Sequence, residues 1–166
     1  DPGPPPLATR RRSSVVWQDE AAYADRGYGR CFVMRKHATT VRKYPNGTHD
    51  RLVGKPTGDA AVPGARLARL QTIDDDGLPK VAETISPNNV LINKEMPANT
   101  FNPVANPNFP EGGYKPSPLV FRAPDEGIVD RVMITSTPTE HMLVKVLVRH
   151  TRRPELGDKR SEEHTS

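Results

Sequence analysis

The densest run of groups able to do chemistry is Arg149-His150-Thr151-Arg152-Arg153-Pro154-Glu155-Leu156-Gly157-Asp158-Lys159. A basic strand end runs there into a Pro-Glu-Leu-Gly turn and finishes on a lysine. Cations gathered where a strand ends can hold phosphate oxygens through charge-assisted hydrogen bonds. On composition alone the plainer reading stays ahead, because charge runs are usually solvated faces.

Other candidate groups are weaker. Thr72, Asp74, Asp76, Gly77 and Glu83 fall near the spacing of a calcium-binding EF-hand loop. Threonine stands at the first ligand position, Pro79 lies inside the loop, and neither flank reads as a helix. An exposed turn is therefore the reading kept for residues 74–79. His141 and His150 lie nine residues apart on one strand. That odd offset puts them on opposite faces, where they cannot share a metal. His37 and His49 would face each other across a hairpin, but two histidines fall short of a typical site. The histidines are expected at the surface. Cys31 is the only cysteine, which excludes an internal disulfide and a cysteine-pair zinc site. Its apolar neighbours Phe32, Val33 and Met34 point to a core position. No nucleophilic triad, phosphate-loop signature or dinucleotide fingerprint is present.

The elements that must position these groups read as short strands. Residues 30–35 form one candidate and residues 38–44 a second. Pro45-Asn46-Gly47-Thr48 follows as a turn. Asn46-Gly47-Thr48 is also a glycosylation sequon, but without secretory features the turn reading wins. Residues 54–64 read as loop and residues 90–94 as a short strand. Residues 96–118 hold six prolines and read as one long loop. Residues 119–121 and 128–135 are strand candidates. The clearest periodicity comes last. Met142, Val144, Val146 and Val148 alternate with Leu143, Lys145, Leu147 and Arg149, a period of two with one apolar face. The β-branched content favours a strand over a helix. No internal repeat is present.

Bulk properties agree with this picture. The chain has 166 residues, of which 34% are hydrophobic, 5% aromatic and 18 are proline. Both fractions are low for a free-standing domain, so neighbours are expected to share in burying it. Proline removes a backbone donor, which breaks long helices and central strands. The net charge is +4 and the pI about 9.4, suited to a polyanion-facing surface. Nothing approaches a transmembrane span or a signal peptide. Residues 1–17 join a polyproline run to Arg10-Arg11-Arg12 and are expected to be disordered. That basic run has the form of a nuclear import signal, though solvated charge is commoner.

Two stretches resemble the second-largest subunit of cellular RNA polymerases. Asp25-Arg26-Gly27-Tyr28-Gly29-Arg30-Cys31 is similar to the family's Asp-Arg-Gly-Phe-Gly-Arg-Cys segment. Thr151-Arg152-Arg153-Pro154-Glu155-Leu156-Gly157-Asp158-Lys159 is similar to the stretch that opens its Gly-Asp-Lys-Phe-x-x-Arg-His-Gly-Gln-Lys-Gly signature. The Thr-Arg-Arg-Pro-Glu lead-in resembles the polymerase III version. Between them, Asp76-Gly77, Val90-Leu91-Ile92-Asn93-Lys94 and Met96-Pro97 fall in family order, and residues 115–133 read like the same subunit. The likeness covers residues 20–159.

The resemblance implies a mainly β fold of short strands and long proline-rich loops. It would comprise the wall (called flap in bacteria) and part of the hybrid-binding domain, as an incomplete fragment. Residues 20–30 would form the edge of the hybrid-binding domain, 31–151 the wall, and 152–159 the return into the hybrid-binding domain. Residues 1–19 do not match and read as disordered or mistranslated. Residues 160–166 depart from the family and resemble a translated sequencing-library adapter.

The function implied is template-directed RNA synthesis as part of a multisubunit DNA-directed RNA polymerase in the nucleus, with the fragment inactive alone. Lys159 matches the lysine that contacts RNA or nucleotide phosphates beside the catalytic centre. A fixed cation there stabilises charge developing during nucleotidyl transfer. Arg152 and Arg153 would support the same nucleic-acid surface, and Asp158 would orient the loop. Gln18-Asp19-Glu20 departs from the Glu-Asp motif that helps place the second catalytic magnesium, so no metal site is carried over. Mg2+ in the complete enzyme would be held mainly by the largest subunit. The implied partners are the largest and other polymerase subunits, template DNA, the RNA–DNA hybrid and ribonucleoside triphosphates, with no membrane. The alternative is a non-catalytic basic β scaffold binding RNA or protein partners. A small free-standing enzyme ranks third.

Overall fold

A computed structural model describes residues 22–56, 64–139, 141–155 and 158. The expectations for residues 1–19 and 160–166, and for Lys159, lie outside these described residues.

The described chain is mainly β. In order it runs β1 (Cys31–Val41), β2 (Arg51–Leu52), a short helix α1 (Gly64–Ala68), β3 (Thr84–Ile85), β4 (Val90–Ile92), β5 (Lys94–Pro97), β6 (Tyr114–Pro116), β7 (Leu119–Val120), β8 (Gly127–Ser136) and β9 (Met142–Arg152). The chain divides into two units, Met34–His150 and a smaller one made from Asp1–Val33 with Thr151–Ser166.

Within the larger unit, one sheet has the strand order β1-β9-β8-β3, a second β2-β5-β6 and a third β4-β7. β8 and β9 form the long antiparallel pair, in register from Ile128↔Arg149 to Ser136↔Met142. A bulge between Val129 and Arg131 shifts the register near the start of β8. The alternation read from the sequence holds here. Val144, Val146 and Val148 are all 0% exposed, while Leu143, Lys145 and Leu147 on the other face stay partly open. Burying each valine contributes about 1.5–2 kcal/mol against water. They pack with Ile85, Leu91, Ile92 and Phe121 in one core cluster.

Residues 45–48 turn as expected. Gly47 adopts φ +83, a left-handed conformation that glycine takes without a Cβ clash. The Asn46 amide staples the turn. Its Oδ1 accepts the Thr48 hydroxyl at 2.6 Å, and its Nδ2 donates to the Asn99 and Asn102 carbonyls, each at 3.1 Å. Beside it lies a buried ionic network. The Asp50 carboxylate accepts from Lys94 Nζ at 3.0 Å, from the Arg42 amide at 3.1 Å and from the Tyr44 hydroxyl at 2.9 Å. Burial, then the bond to Asp50, raises the Tyr44 phenol above its ordinary pKa.

Five local readings need correction. The two strand candidates at 30–35 and 38–44 are one continuous strand, β1, because no glycine, proline or asparagine interrupts it. Cys31 is exposed, since the first half of β1 has both faces open. The long loop at 96–118 is not wholly irregular. Tyr114–Pro116 returns to pair with β5, in register Pro97↔Tyr114 to Glu95↔Pro116. Residues 64–68 form a short helix where loop was expected for residue 64.

The histidines are the fifth correction. His49 bridges to Lys43, not to His37. His37 instead sets its ring edge-on to the buried Phe121, with centroids 5.4 Å apart, and His150 stacks on Phe121 at 5.9 Å. Both are half-buried, and the Nε2 of each is buried with no hydrogen-bond partner among the described residues. Burial, then the charge of His150 and of Arg35, lowers the His37 pKa below its ordinary value.

Candidate nucleic-acid interface

The smaller unit carries the arginines singled out from the sequence. Residues 22–25 form a helical turn, and residues 26–29 continue as a tight turn. Its bonds include the Tyr28 amide donating to the Tyr23 carbonyl at 2.9 Å. Gly27 and Gly29 both take left-handed φ, +99 and +69. The Tyr23 and Tyr28 rings meet edge to face at 6.3 Å. This helix-and-turn presents the Asp25 carboxylate.

β9 delivers the cations. It ends at Arg152, and Pro154, which has no backbone N–H, cannot extend a ladder. The turn that follows is closed by Asp158. The Asp158 amide donates to the Glu155 carbonyl at 3.1 Å, and its carboxylate Oδ2 accepts the Glu155 amide at 3.0 Å. The other oxygen of that carboxylate accepts from Arg152 Nη2 at 2.7 Å. Asp158 thus bonds both the Glu155 backbone and an arginine.

Arg153 reaches the other segment. Its Nη2 donates to Asp25 Oδ1 at 2.6 Å, across 128 residues of sequence. One residue on, Pro154 packs on Gly29 so closely that a Cβ there would lie 2.7 Å from Pro154 Cγ. Glycine at position 29 therefore serves two ends, a left-handed φ and a backbone approach that no side chain permits. The two stretches that carried the resemblance, far apart in sequence, meet side by side.

Arg152 and Arg153 meet their carboxylates in the open, with side chains 53% and 55% exposed. That exposure leaves the guanidinium groups within reach of oxyanions from solvent. Asp25 and Asp158 each engage an arginine. No group of three or more His, Cys, Asp or Glu side chains could hold a metal among the described residues. Arg149, on the same strand but in the larger unit, pairs with Asp130 at 3.6 Å. Sequence reasoning assigned the arginines but missed Asp25 and Gly29 as their neighbours. Only the family-like Asp-Arg-Gly-x-Gly pattern marked those positions, and nothing local pointed to a contact with Arg153 or Pro154.

The profile of the family described as RNA polymerase Rpb2, domain 6, matches residues 18–166. The chain belongs to this family of RNA polymerase second subunits. Within it, the likeness is of the polymerase III type. The chain is 44% identical over 143 residues to DNA-directed RNA polymerase III subunit RPC2 of Schizosaccharomyces pombe, covering 84% of this chain and 12% of that protein. It is 38% identical over 144 residues to the corresponding Dictyostelium discoideum subunit, covering 86% of this chain and 9% of that one. The archaeal subunit Rpo2 of Sulfolobus acidocaldarius is 34% identical over 140 residues, with 84% and 12% covered. The chain therefore spans about a tenth of the length of the curated relatives it matches. The resemblance read from the two terminal stretches is borne out, as is the mainly β fold.

Proposed function

We propose that this chain is a segment of a DNA-directed RNA polymerase III subunit that supports template-directed RNA synthesis by holding the RNA–DNA hybrid and phosphates near the active site. The observation that supports the reading is the meeting of the two family-like stretches, which holds Arg152 and Arg153 beside Asp158 and Asp25, a few residues before Lys159 in sequence. Phosphate contacts of this kind position nucleic acid without reading its sequence.

In this reading residues 31–151 are the wall, and residues 20–30 and 152–159 belong to the hybrid-binding domain. Lys159 stabilises charge on phosphate oxygens during nucleotidyl transfer. Arg152 and Arg153 extend the same cationic surface, and Asp158 fixes the turn. Magnesium in the complete enzyme is held mainly by the largest subunit, and this segment alone has no polymerase activity. The partners are the largest and other polymerase subunits, template DNA, the hybrid and ribonucleoside triphosphates, in the nucleus. No helix among the described residues is long and apolar enough to cross a membrane.

Single-nucleotide addition by the complete polymerase tests this. Lys159→Ala is expected to slow addition by roughly 100–1,000-fold, the scale of losing one fixed group that stabilises transition-state charge. Elongation at the unmodified rate would remove the role given to Lys159.

A further inference from the structure

The arginines of the candidate interface are not bare cations. Each already has a carboxylate on its guanidinium, Asp25 on Arg153 at 2.6 Å and Asp158 on Arg152 at 2.7 Å. We propose that Asp25 and Asp158 are built-in counter-ions that compete with nucleic-acid phosphate for Arg153 and Arg152 and keep the grip on phosphate weak. This rests on the phosphate-holding reading above and adds to it the groups that set the strength of that grip.

Three observations favour competition at the guanidinium nitrogens, a part that Asp158 Oδ1 can play while Oδ2 keeps the Glu155 amide. The Asp25 side chain is 70% exposed and that of Arg153 55%, so the pair contributes little to holding the fold. Both pairs use a terminal guanidinium nitrogen, Nη2, the edge a phosphate would take. A phosphate oxygen and a carboxylate oxygen make the same charge-assisted bond there, so one replaces the other without moving the backbone. Two separate chain segments also supply the same arrangement, one carboxylate to each arginine.

The physical consequence is a grip that is quickly released. A phosphate arriving at a paired arginine displaces a carboxylate as well as water, so less free energy is gained than at a bare cation. That suits a surface along which nucleic acid must advance one nucleotide at a time. Asp25 acts only through Arg153 and is a positioning residue; so is Asp158 toward Arg152.

The test is the salt resistance of assembled elongation complexes, using the complete polymerase on an RNA–DNA hybrid scaffold across a potassium chloride series. Asp25→Asn keeps the shape and removes the charge. It is expected to raise the salt concentration at half-retention and to steepen the log–log salt slope by about one, one further phosphate contact. Asp25→Glu should match the unmodified enzyme, and Arg153→Ala should lower salt resistance. The double variant of Asp25→Asn with Arg153→Ala should behave as Arg153→Ala alone. Asp158→Asn, which retains an acceptor for the Glu155 amide, provides a second, independent variant and should shift the same way as Asp25→Asn. If Arg153→Ala weakens retention while Asp25→Asn and Asp158→Asn leave it unchanged or weaken it too, the carboxylates are structural and the proposal is overturned. If Arg153→Ala itself changes nothing and Lys159→Ala elongates normally, the phosphate reading fails, and the proposal fails with it.

Discussion

At the scale of single residues, burial decides which ionisable groups matter. His37 and His150 looked like surface histidines in the sequence, yet both lie against Phe121. His37 has its pKa lowered, mainly by burial. In the folded state it therefore refuses a proton that the unfolded chain accepts from about pH 6.5 downward. Stability is full above that pH. It falls as pH drops toward the lowered folded-state pKa, and it levels off below that value. Amide hydrogen exchange in the complete subunit should show β1 and β7 losing protection across this window. His37→Gln should flatten the response. A His37→Gln profile identical to that of the unmodified subunit would contradict the assignment. Asn46 makes the opposite point. Its sequon was read as a turn, and the structure gives its amide work on both sides, to Thr48 and to the 99–102 carbonyls. Asn46→Ala should cost about 1–3 kcal/mol through groups left unpaired. Exchange at residues 98–113 would rise first, and unchanged protection there would argue against the staple.

At the scale of elements, legibility followed the range of the interactions. β9 was readable because a period-two pattern of valines is a local signal, and the core sits on the face the pattern names. β7 and β8 fell where their apolar runs placed them. The short strands were harder. β6 contains a proline and follows a glycine pair, so it read as loop. It is a strand because β5 offers a partner across the chain. β1 reads as two strands in the sequence, although nothing in it turns the chain. The candidate site was half legible. Arg152, Arg153 and Asp158 announce themselves as a charged run, whereas the roles of Asp25 and Gly29 depend on a fold that returns after more than a hundred residues. β9 is the element on which the larger unit depends. Val146→Ala, at a 0% exposed position facing Val132, should cost about 2 kcal/mol. Exchange protection along β8 and β9 would fall together in the assembled subunit. A change confined to residues 145–147 would show that the pair is not one cooperative element.

At the scale of the whole molecule, the chain has a core but leaves much apolar surface open. Phe101 is 87% exposed, Phe109 80% and Phe32 63%. Exposed aromatic rings of that kind mark surfaces that pack against other protein. The isolated chain is therefore expected to melt broadly, without a cooperative thermal transition. A sharp two-state melt by calorimetry would show that it needs no neighbours. The central claim is that the basic turn after β9 faces nucleic-acid phosphate in the assembled enzyme. The most direct measurement is photo-crosslinking from RNA bearing reactive backbone groups in a stalled complete polymerase, with adducts mapped by mass spectrometry. Adducts are expected on the segment from Arg149 to Lys159, lost when Arg152, Arg153 and Lys159 are all replaced by alanine. Adducts confined to other segments, with this turn unlabelled at every RNA position tried, would contradict it.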